Sequence, residues 1–514
     1  MRCVQCGAIT RVPEEATAVE PPSENHVPEP SPEAAGPRPR FGTPAAVVPG
    51  CIVVLALVLM RFGSGGDVDR LERPAELAAL FFERSLTDEL LFGEMSAWKK
   101  KLVELLGLRA DEVLGEAIEA YQEIAASAPP DSAPRRAALR ARLVVALAEA
   151  GRMDEARAAL DDLDLDLEEA RAERFRNTVL FAYPALGTGP VAPPVEPELS
   201  VLHPAGTAFE RTAWSRNRLA ARFALQSGRT AEAQRLDARL RERAKDREFL
   251  WLLIPIEMGV TFSLAIVVLA AWLRAGRPSP RLARAPIPAA WFTTDGFAVL
   301  FWGLILSAIV MLLLTVVLVG MGATFVRIAE PFAEIAVVVL VHRFLLRPRR
   351  LTFWRGFGLL PVRSARMRLL GVCVLLLALD GVDTLLVVLG SERFGAAAAW
   401  HELLIEPLLL GSRAEMLAMF LVIGAWAPFV EELLVRGLFY ATLRRHMGVV
   451  PALLVSGITF GALHQYSIPG ILLITASGIW WALAYEKTRS LLPGIIVHAV
   501  GNTVSVVSVA LWYR

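Results

Sequence analysis

Eight long apolar segments in the C-terminal half of this 514-residue chain limit what it can fold into. Apolar residues make up 54% of the chain and charged residues only 20%. In lipid, only helices and closed barrels satisfy their backbone hydrogen bonds, and a spanning helix needs about 20 apolar residues. We therefore predict an all-α, polytopic membrane helix bundle. Its eight core segments lie near 249–274, 295–320, 325–347, 367–390, 415–443, 449–466, 468–486 and 490–511.

The N-terminal half divides by composition into three parts. Residues 1–43 form a Pro- and Glu-rich tail that cannot bury a core, which predicts disorder. Residues 44–62 are apolar and predict a transmembrane anchor. Residues 63–248 are rich in Glu, Arg, Ala and Leu, with apolar residues at three- and four-residue spacing, which predicts a soluble helical domain. The remaining part, 249–514, is the predicted membrane domain.

One internal echo lies within the predicted soluble domain. Ala-Gly-Arg-Met-Asp-Glu-Ala at 150–156 resembles Ser-Gly-Arg-Thr-Ala-Glu-Ala at 227–233. Such a pattern is typical of the helix–turn–helix of tetratricopeptide repeats, where Gly makes the turn and Ala permits close helix packing. The separation of the two stretches along the chain is not a multiple of the 34-residue repeat, so an irregular helical bundle is the alternative interpretation.

Charge in the short loops predicts the orientation, because cytoplasmic loops carry an excess of Lys and Arg. Sixteen such residues lie in 274–294, 343–368, 444–448 and 487–490, whereas the alternate loops hold only three. The tail is therefore expected in the cytoplasm and residues 63–248 on the opposite side. Frequent Ala and Arg favour a bacterial source, so we expect a multi-pass protein of a bacterial inner membrane.

Costly polar residues interrupt the last apolar segments. A charged residue at the centre of a membrane helix costs roughly 2.5–3.5 kcal/mol on insertion scales, so such residues usually face a protein interior and mark function. Helical rise places them at similar depths in three different helices. Glu432 and Arg436 are four residues apart and share one face of the first of these helices. His498 and Asn502 share one face of the last helix in the same way. The set is Glu431, Glu432, Arg436, Phe460, His464, His498 and Asn502.

These residue types suit hydrolysis of an amide bond. A carboxylate and an imidazole in a cavity of low dielectric can bind water, and the carboxylate can act as its general base. Imidazole and carboxamide N–H groups can stabilise the resulting oxyanion, where losing one donor typically costs about 10²–10³ in rate. Neither a serine nor a cysteine nucleophile is required.

The motifs Glu431-Glu432-x-x-x-Arg436, Phe460-x-x-x-His464 and His498-x-x-x-Asn502 resemble those of a known family. This is the CPBP family of CAAX-type intramembrane glutamic proteases, also called the Rce1/Abi group, and the resemblance covers about 410–512. It implies that Glu431 and His464 activate water. It also implies that His498 and Asn502 form the oxyanion site, and that Glu432 and Arg436 position the apparatus. No cofactor or metal is implied, and the substrate would be a membrane-associated or lipidated protein or peptide.

Two alternatives remain open at this point. A zinc-dependent metallohydrolase could use Glu431, His464 and His498 as ligands, since zinc accepts two imidazoles, a carboxylate and water. A non-catalytic scaffold could instead bind a protein partner through 63–248. A net charge of +1 indicates no nucleic-acid partner, and the expected surroundings are membrane lipids.

Two further patterns are weaker. Cys3-x-x-Cys6 is half of a zinc ribbon, and without a second pair we expect a metal-free tail or a zinc ion shared within a dimer. Asp380 and Asp383 share one face of an apolar segment, and we expect them to have a structural role rather than to line the substrate cavity.

Overall fold

In the computed structural model, the regular secondary structure of the described residues consists of helices, with no strand among them, which confirms the predicted all-α membrane bundle. Cys3 and Cys6 lie outside them. The structure describes residues 41–62, 71, 73–92, 113–127, 129–163, 166–246, 248–318, 323–361, 365–394, 402, 404–464 and 466–513.

Seventeen helices are numbered here along the chain. The first eight precede the membrane bundle: α1 Thr43–Phe62, α2 Pro74–Phe92, α3 Val113–Ser127, α4 Ala133–Glu149, α5 Met153–Asp162, α6 Glu169–Ala182, α7 Trp214–Gln226 and α8 Thr230–Lys245. The others are α9 Glu248–Arg274, α10 Thr293–Leu318, α11 Ala323–Leu340, α12 Arg366–Phe394, α13 Glu406–Leu410, α14 Arg413–Leu443, α15 Val449–Leu463, α16 Ile468–Thr488 and α17 Leu492–Tyr513. Short helical turns lie at Pro184–Leu186, Ser200–Leu202, Ala208–Arg211, Val341–Leu346, Arg347–Arg349 and Phe353–Gly356.

All eight apolar segments are helical, and six helices in the described part of the chain are long and apolar enough to cross a membrane. These six are α9, α10, α12, α14, α16 and α17, with α9 counted from Pro255 and α12 to Gly390. Helix α15 is apolar but has only 15 residues. The chain is therefore a multi-pass membrane protein, while the anchor at 44–62 stays a prediction.

The echo at 150–156 and 227–233 corresponds to two similar helical hairpins. Gly151 and Gly228 join α4 to α5 and α7 to α8, and both have positive φ values of 75° and 72°. Glycine adopts this left-handed conformation without the strain of a side chain. Ala156 and Ala233 are buried where the paired helices meet. The hairpin geometry agrees with the helix–turn–helix interpretation, whereas assignment to the tetratricopeptide class stays a prediction.

The arginine-rich loops pack together at one end of the bundle. The backbone N–H of Leu282 donates to Thr488 O, that of Ala289 to Ala441 O, and that of Leu491 to Phe357 O. Near α1, the N–H of Phe41 donates to Asp295 on the same end. Loops predicted to share one side of the membrane are thus neighbours, although which side is cytoplasmic stays a prediction.

The helices of 63–248 contact the opposite end. Arg73 forms an ion pair with Glu406 at 2.9 Å, and Arg211 donates to the carbonyl oxygens of Leu409 and Tyr513. The Phe81 ring stacks on Tyr513 at 5.6 Å. These contacts join α2 and the turn at 208–211 to the ends of α13 and α17, so the N-terminal helices cover that end of the bundle.

Candidate active site

Helix α14 contains two π-helical segments, one before Glu431 and one that begins at Glu432. Its α-helical hydrogen bonds change to π-helical ones at Val422–Trp426 and again at Glu432–Tyr440, with Ala427–Glu431 between them. Pro428 contributes to the first change because proline has no N–H and its ring clashes with the preceding turn. Single π turns within α-helices are frequent at functional sites. The second π segment carries Glu432 and Arg436.

Glu432 and Arg436 form a fully buried ion pair. Arg436 Nη1 donates to Glu432 Oε1 at 2.7 Å, and the side chains are 1% and 0% exposed. The Arg436 guanidinium also lies over the Phe460 ring, 4.2 Å from its centroid. A cation over an aromatic face gains electrostatic stabilisation, more so away from water. Two glycines permit this packing, since a Cβ at Gly494 would lie 2.6 Å from Glu432 Oε2, and one at Gly478 3.1 Å from Arg436 Nη2.

His498 lies between the two glutamates. Its Nδ1 is 3.5 Å from Glu432 Oε1, and its Nε2 is 3.8 Å from Glu431 Oε2. Neither separation is a hydrogen bond, and Glu431 Oε2 and His498 Nδ1 are both buried atoms without a partner. Glu431 itself is one-third exposed, unlike Glu432. The structure therefore brings the acidic pair of α14 and the imidazole of α17 close together.

His464 lies just beyond the end of α15, in extended backbone conformation rather than inside a helix. Its Nδ1 is 2.8 Å from Phe460 O, and a carbonyl oxygen only accepts. Nδ1 therefore carries the proton, and in the neutral ring Nε2 has the free lone pair. The Phe460 ring connects the two imidazoles, with centroid distances of 4.8 Å to His464 and 6.1 Å to His498.

Asn502 is attached to the first π segment. Its Nδ2 donates to Ile423 O at 2.9 Å. In this segment the Ala427 N–H bonds Val422 O, five residues back, so the next donor in that register would be residue 428. Pro428 has no N–H. The Ile423 carbonyl is therefore left without a helical donor, and Asn502 takes it with one of its two amide hydrogens.

Two further features of the site were not predicted. The Trp481 ring stacks on His498 with centroids 4.4 Å apart and planes 28° apart. Asp380 accepts a hydrogen bond from Trp481 Nε1, and Asp383 accepts one from Trp480 Nε1. The sequence contained one signal for these hydrogen bonds. Two aspartates lie within an apolar helix, and their carboxylates need buried donors. The expected structural role of Asp380 and Asp383 agrees with these contacts.

The zinc alternative needs three ligands around one point. Among the residues that the structure describes, no group of three His, Cys, Asp or Glu side chains has an arrangement that could hold a metal ion. Glu431, His464 and His498 do not form such a group.

Fold and site together define a multi-pass helical membrane protein with a buried cluster of carboxylate, imidazole and guanidinium groups. Residues 413–504 match the model of the family described as Type II CAAX prenyl endopeptidase Rce1-like. The match covers under one fifth of the chain and contains the whole cluster. It confirms the family resemblance of the three motifs, and it identifies the chain as a hydrolase of the peptidase class. No curated protein and no solved structure matches the chain.

Proposed function

We propose that this protein is an intramembrane, glutamate-dependent endopeptidase that cleaves a membrane-associated or lipidated substrate. The observation that carries the proposal is the position of His498 between Glu431 and Glu432, with buried oxygen and nitrogen atoms that have no partner. Buried polar atoms are nearly always paired, and the exceptions call for an explanation such as a catalytic role. Glu431 is also the more exposed of the two glutamates, as a group that meets water and substrate must be.

In the proposed reaction, Glu431 and the free Nε2 of His464 bind a water molecule. Glu431 accepts a proton from this water as the oxygen attacks the scissile carbonyl carbon. The carbonyl electron pair moves to oxygen, where N–H groups of His498 and Asn502 stabilise the charge. Collapse of the intermediate breaks the C–N bond, and the leaving amine receives the proton held by Glu431. Glu432 and Arg436 hold the helix that carries Glu431.

The substrate class and the arrangement of the domains belong to the same proposal. The matched family is named for prenyl CAAX sequences, which favours a C-terminal lipidated segment as substrate. The helices of 63–248 cover the end of the bundle opposite the arginine-rich loops, which supports an extracytoplasmic position and a role in recruiting a protein partner or substrate. A cytoplasmic N-terminus and a bacterial inner membrane complete the proposal.

Cleavage assays in detergent test the assignment. Two internally quenched peptides of equal sequence, one ending in a farnesylated cysteine motif and one not farnesylated, are incubated with wild type, Glu431→Gln and Glu257→Gln. Glu257 is an exposed residue of α9 and provides the control. We expect Glu431→Gln to lower kcat by about 10²–10⁴, the usual contribution of a general base, and Glu257→Gln to have no effect.

Equal cleavage by wild type and Glu431→Gln would contradict the proposal. A requirement for the farnesyl group would identify the lipid as part of the recognised substrate. Activity that persists after chelator treatment and metal analysis would separate the glutamate mechanism from the zinc alternative.

A further inference from the structure

Two consecutive tryptophans on α16 are each bound by an aspartate of α12. Trp480 Nε1 donates to Asp383 Oδ2 at 2.7 Å, and Trp481 Nε1 donates to Asp380 Oδ2 at 3.3 Å. Asp380 and Asp383 are three residues apart and lie on one face of their helix. The two pairs thus use the same chemistry at neighbouring positions.

Only the second pair reaches the catalytic cluster. Adjacent residues of a helix point in directions about 100° apart, and Trp481 is buried whereas Trp480 is partly exposed. The indole of Trp481 stacks on His498 at 4.4 Å and lies 5.1 Å from the Arg436 guanidinium. Its Cβ also lies 3.6 Å from the position that a Cβ at Gly494 would occupy, beside Glu432.

The orientation of His498 needs such a support. Its Nδ1 has no hydrogen-bond partner and lies 3.5 Å from Glu432 Oε1, and its Nε2 lies 3.8 Å from Glu431 Oε2. Both separations are too long for well-formed hydrogen bonds. The Phe460 ring approaches at 6.1 Å and nearly perpendicular. The closest ring contact of His498 is therefore the near-parallel face of Trp481, which determines the plane of the imidazole.

We infer that Trp481 is a positioning residue for His498 and that Asp380 holds its indole in place. This inference rests on the proposed function, since His498 matters as a donor to the oxyanion. A donor must aim at the position where negative charge develops, and a misplacement of about 1 Å can cost about a hundredfold in rate. The Asp380–Trp481 pair maintains that aim from two helices that carry no catalytic residue.

Kinetics of paired variants test the inference on the cleaved peptide. Trp481→Leu removes both the ring and the hydrogen bond, so kcat should fall about a hundredfold with KM unchanged. Trp481→Phe keeps a ring but loses the bond to Asp380, and a loss of about tenfold is expected. Asp380→Asn keeps an accepting oxygen and should remain within about threefold of wild type, whereas Asp380→Leu should resemble Trp481→Phe.

The neighbouring pair is the matched control. Trp480→Leu and Asp383→Leu remove the same chemistry one position away and should leave kcat nearly unchanged. Equal losses from the Trp480 and Trp481 variants would overturn the inference, because the effect would then be general packing. An active Trp481→Leu beside an inactive Glu431→Gln would overturn the inference alone, whereas an active Glu431→Gln would contradict the proposed function.

A second measurement needs no substrate. In experimental structures of the variants, Trp480→Leu and Trp481→Phe should retain the separation between His498 Nδ1 and Glu432 Oε1. In Trp481→Leu the imidazole should turn away from Glu432. An unmoved His498 ring in Trp481→Leu would overturn the inference whatever reaction the protein performs.

Discussion

Two buried arginine–glutamate pairs, one in the N-terminal helices and one in the membrane site, differ in how completely they are satisfied. Arg142–Glu83 and Arg436–Glu432 have side chains at most 1% exposed and ion-pair distances of 2.9 and 2.7 Å. In both, the guanidinium covers an aromatic ring at 4.3 or 4.2 Å. By residue type, burial and ring contact, the two pairs are nearly the same.

Their remaining hydrogen bonds are different. Arg142 also donates to Ala138 O and Thr212 Oγ1, and Glu83 Oε2 accepts from the backbone N–H of Trp214. In the N-terminal pair, only the two atoms that face each other in the ion pair at 2.9 Å, Arg142 Nε and Glu83 Oε1, make no hydrogen bond. In the membrane pair, Arg436 Nε and Nη2 and Glu432 Oε2, which lie outside the Nη1–Oε1 contact, make none. Satisfied buried networks make a structure rigid and specific, whereas unused polar atoms mark a site that does something else. The difference separates a structural pair from one that serves chemistry.

Removing one partner of either ion pair should cause the largest loss of stability. Removing one partner leaves an uncompensated buried charge and costs about 3–5 kcal/mol of stability. We expect this loss for Arg142→Met and for Arg436→Met, measured by thermal unfolding in detergent. Replacing both partners by apolar residues of similar size should restore most of the stability in each case.

Activity should then distinguish the two double variants. Glu83→Leu with Arg142→Met should keep peptide cleavage close to wild type once folded. Glu432→Leu with Arg436→Met should be stable but cleave poorly, because the groups that position Glu431 and His498 are gone. Full activity in the second double variant would show that the membrane pair is only structural.

Acid should weaken the N-terminal helices through His203. Burial, together with Arg142, Arg216 and Arg243, lowers the pKa of His203 from 6.5 to about 4, although a backbone contact with Glu210 opposes this. The folded chain therefore binds fewer protons than the unfolded chain between about pH 6.5 and 4, so stability is lost as the pH falls through that range. The full difference corresponds to about 3 kcal/mol, and partial exposure of the ring reduces it to about 2 kcal/mol.

The measurement is thermal unfolding of the whole protein at pH values between 7 and 4. Limited proteolysis reports when 63–248 unfolds. His203→Gln removes the titrating group and should flatten the profile in this interval. The same slope in wild type and His203→Gln would assign the acid sensitivity to other groups.

Replacing Pro428 should disturb the membrane site at a distance from its charges. Pro428→Ala restores an N–H that can donate to Ile423 O, and this donor competes with Asn502. A loss of about tenfold in kcat is expected, the rate equivalent of one hydrogen bond. Pro255→Ala, another proline inside a membrane helix, is the control.

A double-mutant cycle gives the sharper result. If Pro428 acts through Asn502, Pro428→Ala should add nothing in an Asn502→Ala background. Additive losses would mean that Pro428 acts on the glutamates directly.

Removing the Arg73–Glu406 ion pair, which joins the N-terminal helices to the membrane bundle, should have the smallest effect on stability. Arg73 is one-third exposed in its ion pair, whereas Glu406 is buried and also accepts a hydrogen bond from the Arg73 backbone N–H. Because this backbone bond remains when the side chain is removed and Arg73 itself reaches water, we expect a loss of about 1 kcal/mol. Arg73→Ala should lower the unfolding temperature slightly, and less so in high salt. A loss above about 2 kcal/mol would show that the two regions unfold as one unit.

Much of this arrangement was predictable along the chain. Apolar length predicted the membrane helices, and the cost of charge in lipid singled out Glu431, Glu432, Arg436, His464, His498 and Asn502 as one set. The helix boundary at Leu463 was harder to predict, because neither glycine nor proline at 464–466 marks the point where the backbone becomes extended at His464. The two π segments were not predicted. Pro428 removes one helical N–H donor, but this local effect alone does not indicate which neighbouring hydrogen bonds change to the π-helical spacing.

By itself the sequence determined the all-helical membrane class, the family resemblance and the polar residues that share helix faces, because these depend on local periodicity and on transfer of side chains into lipid. Only the tertiary structure decided that Trp481 supports His498, that Asn502 bonds to Ile423, and that the N-terminal helices cover one end of the bundle. Those contacts join residues far apart in the chain, and their formation depends on how whole helices pack rather than on any local preference.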